Sequence, residues 1–539
     1  MQVFDPTLLA MYLALLITLS PLLGSYLYHI YNRPIGKLES LFYTLTRTPQ
    51  AAMNWKEYAY ALLNLQAIGF VFFMLILKLN QREVISWHLA FNTAISFVTN
   101  TNWQAYSGES TLDNWVQMFG MTVQNFLSCA TSVAVLLVLI RGIAAKESPH
   151  LGNFWVDITR TILYVLLPCS ALIAIFLVSQ GAIQNLAPHI KAVGLEGLAQ
   201  VLPMGPAASQ TAIAVLGSNG GGFFGQNLAH PFANPTEISN FVLMLWVLLV
   251  PAAFVHYYGF QIGSRKQAWV ILSVMLGLFL LFLAGTFFSE IHFGSLEGLE
   301  IRFRGWGSIL LGSAATASSN GSVNAMVDSL SPLAGGLMML QIMLGEIIFG
   351  GVGSGLYGML LFVMLTVFLA GLMVGRTPEF LGKKIEAEEI KWISIGILSP
   401  CILTLLGAGI ACLYPVALKS LGNAGPHGLS EILYAFASAA NNNGSSFGGL
   451  SANTPFWNIA LAITMLLGRF TLLLSVLTIA GTLARKKHIP PNSGTFQTDT
   501  PIFAFLLGAS ILLVAALTFM PGWFLGPLLE HISLLGVSP

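Results

Sequence analysis

Charge is scarce in this chain. Only 8% of its 539 residues are Asp, Glu, Lys or Arg, while 55% are hydrophobic and mean hydropathy is +0.76. A soluble domain carries about 25% charged residues, so an integral membrane protein is expected. The net charge of +1 excludes the basic field of a nucleic-acid binder. Cysteine is rare too. Cys129, Cys169, Cys401 and Cys412 form no C-x-x-C pair, lie in or next to apolar runs, and read as small core residues. His88, His189, His230 and His256 are scattered without metal-ligand spacing. The sequence has no G-x-x-x-x-G-K-S/T loop, no Asp-Lys-Thr-Gly stretch and no connection long enough for a nucleotide domain. The chain is therefore expected to bind no nucleotide and do no ATP chemistry. A basic n-region is missing as well: Asp5 precedes the apolar run Leu8 to Tyr28, which reads as an anchor and not a cleaved signal.

What is present is apolar sequence in long runs. A span needs about 20 apolar residues, and ten candidates occur, roughly 8–30, 58–79, 115–140, 158–180, 236–258, 268–289, 333–374, 393–415, 455–481 and 501–523. The fold class expected is an all-α polytopic membrane protein. Basic residues gather in alternate connections: Arg33, Lys37, Arg47 and Lys56; Arg141, Lys146 and Arg160; Arg265 and Lys266; Arg376, Lys383, Lys384 and Lys391; Arg485 to Lys487. Those connections are expected to be cytoplasmic, with both termini outward.

One polar phrase recurs within this apolar background: Ser218-Asn219-Gly220, Ser319-Asn320-Gly321 and Asn442-Asn443-Gly444, with a degenerate copy at Asn100-Thr101-Asn102. Half-length apolar stretches at roughly 87–98, 206–217, 305–317 and 429–440 lead into the four copies. Twelve helical residues reach only about 18 Å, too short to cross, so each stretch reads as a re-entrant helix that stops at mid-membrane and returns as a loop. Its carboxyl end favours a cation. Four uncharged loops rich in Asn, Ser, Thr and Gly suggest a ring of oxygens around one axis, the device that strips and holds a monovalent cation. The lack of carboxylates in the loops argues against a divalent ion. The bland alternative is that Asn-Gly is a turn dipeptide; recurrence after four short helices argues against it. Gln104 and Asn227, with Gly221-Gly222, read either as filter supports or as loop filling. The unit is helix, re-entrant helix, loop, helix. It gives repeats at 55–142, 156–262, 266–376 and 391–484, with extra helices at 1–35 and 499–525.

On its longer motifs the chain resembles the potassium-binding A subunit of the bacterial Kdp-type potassium-transporting ATPase, over essentially its whole length. The stretches that carry the resemblance are SFVTNTNWQAYSGE from Ser96, LPMGPAASQ from Leu202, GSNGGGFFGQN from Gly217, GEIIFGGVGSGLYGMLLFV from Gly345, GRTPEFLGKKI from Gly375, AANNNGSSFGGLSAN from Ala439 and LLGRF from Leu466. The resemblance implies a channel-like subunit of the superfamily that includes Trk, Ktr and HKT transporters, set in the bacterial inner membrane. It also implies K⁺ as the transported ion, and as partners a P-type ATPase B subunit, a single-span C subunit and a small F peptide. Filter oxygens are then expected from Asn100, Ser218, Ser319 and Asn442 and the residues after them. Asn320 stands where the resemblance leads one to expect cysteine, a departure expected to matter less than the backbone around it.

The seventh run is too long for one straight helix and contains Gly350, Gly351, Gly353 and Gly355 around Val352 and Ser354. Glycine costs about 1 kcal/mol in a helix interior, so a break is expected here, serving either as a gate or as close helix packing. The resemblance implies a loop that blocks direct passage and turns ions sideways toward the ATPase subunit. Glu346 and Arg469 are intramembrane charges, a candidate pair on the ion path or gate. Arg376 reads either as a gate residue or as a snorkelling residue at the membrane boundary. The charge-dense stretch Thr377 to Lys391 is expected to form a surface helix, as a partner contact or as a plain connector. Two other function classes stand beside the leading one: a self-sufficient channel or carrier of the Trk type, and a membrane-embedded enzyme. For the enzyme no clustered catalytic residues are visible.

Overall fold

The structure, a computed structural model, describes residues 5–375, 377–490 and 495–536. Among these, ten helices are long and apolar enough to cross a membrane. In order they are Pro6–Asn32, Trp55–Lys78, Asn114–Ala144, Phe154–Ser179, Glu237–Gln261, Arg265–Phe293, Ser354–Met373, Ala387–Leu413, Pro455–Arg485 and Pro501–Leu534; they are called spans 1 to 10 here. Span 7 is preceded by a shorter apolar helix, Pro332–Met343, and the ten residues between the two are not helical. The expected break is therefore present. The chain is an all-α polytopic membrane protein. Four units of helix, half-length helix, polar loop and helix lie between an extra helix at each end.

The half-length helices are Trp87–Val98, Ala207–Leu216, Trp306–Ala317 and Gly425–Asn441 (pore helices 1 to 4). Most side chains in them are buried, the exceptions lying mainly in the first turns, such as Trp87 and His427. Spans 3 and 5 form the interior, with 83% and 78% of their apolar windows buried, against 22% for span 1 and 28% for span 10. The two extra helices are thus peripheral. Local sequence explains several boundaries. The Asp5 carboxylate caps the amides of Thr7 and Leu8, with Pro6 in the first turn. Asn54 and Glu57 form a capping box at the start of span 2. Span 10 runs past Pro521 and Pro527 because a π-helical segment, Phe524–Leu528, absorbs the second proline. The expectation that the span ended at 523 is corrected accordingly.

The side from which the pore helices enter is called the mouth, and the other the far side. On the far side two buried carboxylates are paired with arginines. Arg141 grips Asp157 with two hydrogen bonds of 2.6 and 2.7 Å, and Tyr58 donates to the same carboxylate at 3.0 Å. Glu39 accepts from Arg33 at 2.8 Å and from Arg160 at 3.1 Å. Losing one member of such a pair would leave a buried charge uncompensated. The stretch 377–391 is not a surface helix. It forms a small hairpin pairing Glu379–Phe380 with Lys383–Lys384, and Ala387 already begins span 8. The reversal fits Gly382 at φ 74°, and the buried Lys383 ammonium donates to the carbonyls of Gly142 and Leu483 at 2.9 and 2.6 Å. That residue ties the far ends of spans 3 and 9 together, which a free surface helix would not allow.

Candidate cation-binding site

Each pore helix ends in the same way. The residue that opens the polar phrase is left-handed in all four copies: Asn100 at φ 66°, Ser218 at 52°, Ser319 at 60° and Asn442 at 60°. The next amide then reaches back five residues. Thr101 donates to Ser96, Asn219 to Ala214, Asn320 to Ala315 and Asn443 to Ser438, at 2.8–3.1 Å. This is the wide hydrogen bond of a Schellman ending, which normally places glycine at the left-handed position. Here Asn or Ser occupies it, so a polar side chain is retained where glycine would leave none.

Those side chains stitch neighbouring loops into a closed circuit. Asn100 donates to the Ser218 carbonyl at 3.0 Å, and Asn219 donates back to the Asn100 side-chain oxygen at 2.7 Å. Asn320 reaches the Val215 carbonyl on pore helix 2 at 3.3 Å. Asn443 reaches the Ala315 carbonyl on pore helix 3, and Ser319 the Asn442 carbonyl, both at 3.3 Å. Asn442 closes the circuit on the Thr101 hydroxyl at 2.9 Å. Asn320 thus bridges two units, and its oxygen also accepts from the Ser322 amide at 2.9 Å. A cysteine there could do neither as well.

The glycines mark the centre. A Cβ at Gly220 would lie 2.7 Å from the Asn443 carbonyl oxygen, 2.8 Å from that of Thr101 and 3.0 Å from the Gly321 Cα. One at Gly444 would lie 1.7 Å from the Thr101 oxygen. Three glycines and the Thr101–Asn102 backbone therefore converge on one place, where a side chain of any kind would obstruct. Asn102 fits in the glycine position of the first loop because its amide turns away to the side-chain oxygen of Asn125 on span 3. Of the twelve phrase residues only Gly444 is partly exposed. No carboxylate lies in the four phrases, so the oxygens available are carbonyls, amides and hydroxyls, a set suited to a dehydrated monovalent cation.

Two polar side chains beyond the phrases reach the second loop. Gln104 accepts from the Gly222 amide at 3.0 Å, and Asn227 donates to the Gly220 carbonyl at 2.9 Å. Sequence reasoning missed Asn125 and Ser128 on span 3. The Ser128 hydroxyl donates to the Asn100 side chain at 2.7 Å. The signal was present as a polar stripe, Asn125, Ser128 and Ser132, at helical spacing in an apolar span.

The break in span 7 sits directly against this ring. The Phe349 and Gly350 amides bond the Ala317 carbonyl at 3.0 and 2.8 Å, and the Val352 amide bonds the Ser218 hydroxyl at 3.2 Å. Gly350 and Gly353 take φ 67° and 90°, and Gly351 lies beside Ser319 and Ser354. Next to the break is a cavity of about 50 Å³, lined by Glu346, Ser354, Asn441, Asn442 and Arg469 and walled on the outside by spans 8 and 10. That volume holds a few waters, since one needs roughly 10–15 Å³. Glu346 and Arg469 share this wall but form no direct ion pair among the described residues. Arg469 bonds the Ser132 hydroxyl, and one Glu346 oxygen has no protein partner there. Arg376 lies outside the described residues.

The family model described as "Potassium-transporting ATPase A subunit" matches residues 10–532. Relatives named "Potassium-transporting ATPase potassium-binding subunit" include one from Sorangium cellulosum, 49% identical over 97% of this chain and 98% of its own length. Another, from Leptospira interrogans, is 50% identical over 97% of both. A third, from Pseudomonas syringae, is 47% identical over 99% of this chain and all of its own. Among solved structures, the potassium transporter TrkH from Vibrio parahaemolyticus is similar at TM-score 0.49 and 14% identity, covering 72% of this chain and 78% of that one.

Proposed function

The chain belongs to the potassium-transporting ATPase A-subunit family, and on that premise we propose that it is the potassium-binding and potassium-translocating subunit of an ATP-driven, high-affinity uptake complex. It performs no nucleotide chemistry. Its partners in this reading are a P-type ATPase B subunit, a single-span C subunit and a small F peptide, in the bacterial inner membrane. The mouth and both termini face outward.

The observation that carries the reading is the closed circuit of hydrogen bonds around three converging glycines. It braces the loops from behind, so that inward-facing oxygens keep their spacing when an ion replaces its water shell. K⁺ enters from outside and loses water among Asn100–Asn102, Ser218–Gly220, Ser319–Gly321 and Asn442–Gly444. The carboxyl ends of four helices point toward it. Span 7 stops the ion from running straight on: its Gly350–Ser354 segment lies under loops 2 and 3. The ion passes instead into the cavity beside Glu346 and Arg469. From there it moves toward the ATPase subunit.

The test is rubidium binding and potassium-stimulated ATP hydrolysis by the purified complex. Gly220→Asp or Gly444→Asp should abolish both; wild-type binding in either variant would overturn the filter assignment. Purification that yields the chain active alone, with no ATPase subunit, would favour a Trk-type carrier instead.

A further inference from the structure

At the mouth, away from the filter, Asp328, His427 and Glu431 bring one ligand atom each to within 4.8 Å of one another. They come from two segments. Asp328 lies in a short turn, Val327–Ser329, after the third filter loop. His427 and Glu431 are one helical turn apart on pore helix 4 and so face the same way. The imidazole is aimed from behind: its Nδ1 is 2.7 Å from a carboxylate oxygen of Glu530, on the last helix. This leaves Nε2 facing Asp328, at 2.5 Å. Glu431 is fully buried and held in place by the Gly422 amide at 3.1 Å and the Asn423 side chain at 2.8 Å.

A histidine whose far nitrogen is fixed by a carboxylate, next to two carboxylates of which one is itself hydrogen-bonded, has the outer-shell arrangement of protein zinc sites. From these juxtaposed groups we propose that Asp328, His427 Nε2 and Glu431 form a site for a zinc-class divalent transition metal, with Glu530 as the positioning residue and water in the fourth place. Zinc bonds of about 2.0–2.2 Å put neighbouring ligand atoms roughly 3.4 Å apart, so Asp328 needs only a small swing away from the imidazole. The imidazole selects against Mg²⁺ and Ca²⁺, which prefer all-oxygen shells. The site is wired to the filter. The Asp328 amide bonds the Phe447 carbonyl at 2.8 Å just past the fourth loop, and the Phe447 ring lies between His427 and Tyr434. The Tyr434 hydroxyl in turn meets the Ser445 hydroxyl at 2.8 Å. Metal binding fastens the mouth ends of loops 3 and 4 to each other and slows ion entry. Binding itself is independent of the transport reading; only the slowing rests on it.

The experiment is calorimetric titration of the chelator-stripped, purified complex with zinc chloride, with magnesium and calcium chlorides as controls. One zinc per chain with micromolar affinity, and no heat from the controls, is expected. His427→Gln, which keeps a hydrogen-bonding group on both sides, and Glu431→Gln should each weaken zinc at least tenfold. Glu530→Gln should weaken it by about tenfold through lost positioning. Zinc should lower the rate of potassium-stimulated ATP hydrolysis in the wild type, and the His427→Gln rate should change far less. No stoichiometric zinc, or equal affinity in both ligand variants, overturns the site. Tight zinc with an unchanged wild-type rate overturns the wiring to the filter and leaves the filter assignment untouched.

Discussion

The four polar loops and the break in span 7 are both irregular backbone at membrane depth, yet they are satisfied in different ways. The loops keep Asn and Ser at left-handed positions and use those side chains to tie unit to unit. The break takes its left-handed turns at Gly345, Gly350 and Gly353 and at one residue with a side chain, Glu346 at φ 52°, and its Phe349, Gly350 and Val352 amides lean on the Ala317 carbonyl and the Ser218 hydroxyl. One region is braced from every side; the other rests on the first and borders a cavity holding an unpartnered carboxylate oxygen. Motion is therefore cheaper in the break. Rearranging a loop costs several hydrogen bonds in two units at once, whereas displacing the break costs three hydrogen bonds together with the packing of Phe349 on Phe279 and of Gly353 on span 3.

The comparison breaks most visibly at Gly444. A methyl group there would overlap the Thr101 oxygen at a φ of 90°. Gly444→Ala should lower rubidium affinity at least about 100-fold, or about 2.7 kcal/mol, in equilibrium binding to the purified complex. Retention within threefold would mean the loops yield as readily as the break. Glu346→Gln should do the reverse. Rubidium affinity should stay within about threefold while potassium-stimulated turnover falls roughly tenfold, about 1.4 kcal/mol. Affinity falling as far as in Gly444→Ala would make the break part of the filter.

Within the ring, Asn102→Gly should be milder. It removes the tie to Asn125 but restores the residue the other loops carry, so affinity should change by no more than about fivefold, roughly 1 kcal/mol. The smallest effect belongs to the far-side hairpin. Burial, with nearby Lys486, pushes Lys383 down to about 8 from its ordinary 10.5. The unfolded chain holds that proton up to the higher value, so stability from this residue rises with pH between about 8 and 10.5. Thermal melts at both ends of that window should show the rise in the wild type and lose it in Lys383→Met, with ion binding unchanged.

Hydropathy and recurrence made much of this architecture legible. The first three pore helices begin and end within about one residue of the apolar stretches preceding each phrase, because burial of most side chains leaves a nearly uninterrupted apolar signal. The fourth starts earlier, at Gly425, since its first turn is polar and serves the mouth. Pro521 concealed the length of span 10, and the charges of 377–391 concealed a hairpin whose lysine is buried. In the site, repetition pointed to the twelve phrase residues. The backing of Asn100 by Ser128 and of Asn102 by Asn125 depends on how span 3 is rotated, which a lone sequence does not fix. The lack of an ion pair between Glu346 and Arg469 among the described residues has a related cause: both reach one cavity, but the rotation of span 9 turns Arg469 to the Ser132 hydroxyl.

Span 10 supplies Ile511, Val514, Ala515 and Phe519 to the outer wall of that cavity, though it is among the least enclosed helices of the chain. Span 8, only slightly better enclosed, adds Gly396, Ile397, Pro400 and Cys401, so two peripheral helices insulate this small polar chamber from hydrocarbon. Any protein that draws cargo from the chamber sideways must lift, straddle or part this pair of helices, and the bilayer itself penalises leaving them ajar.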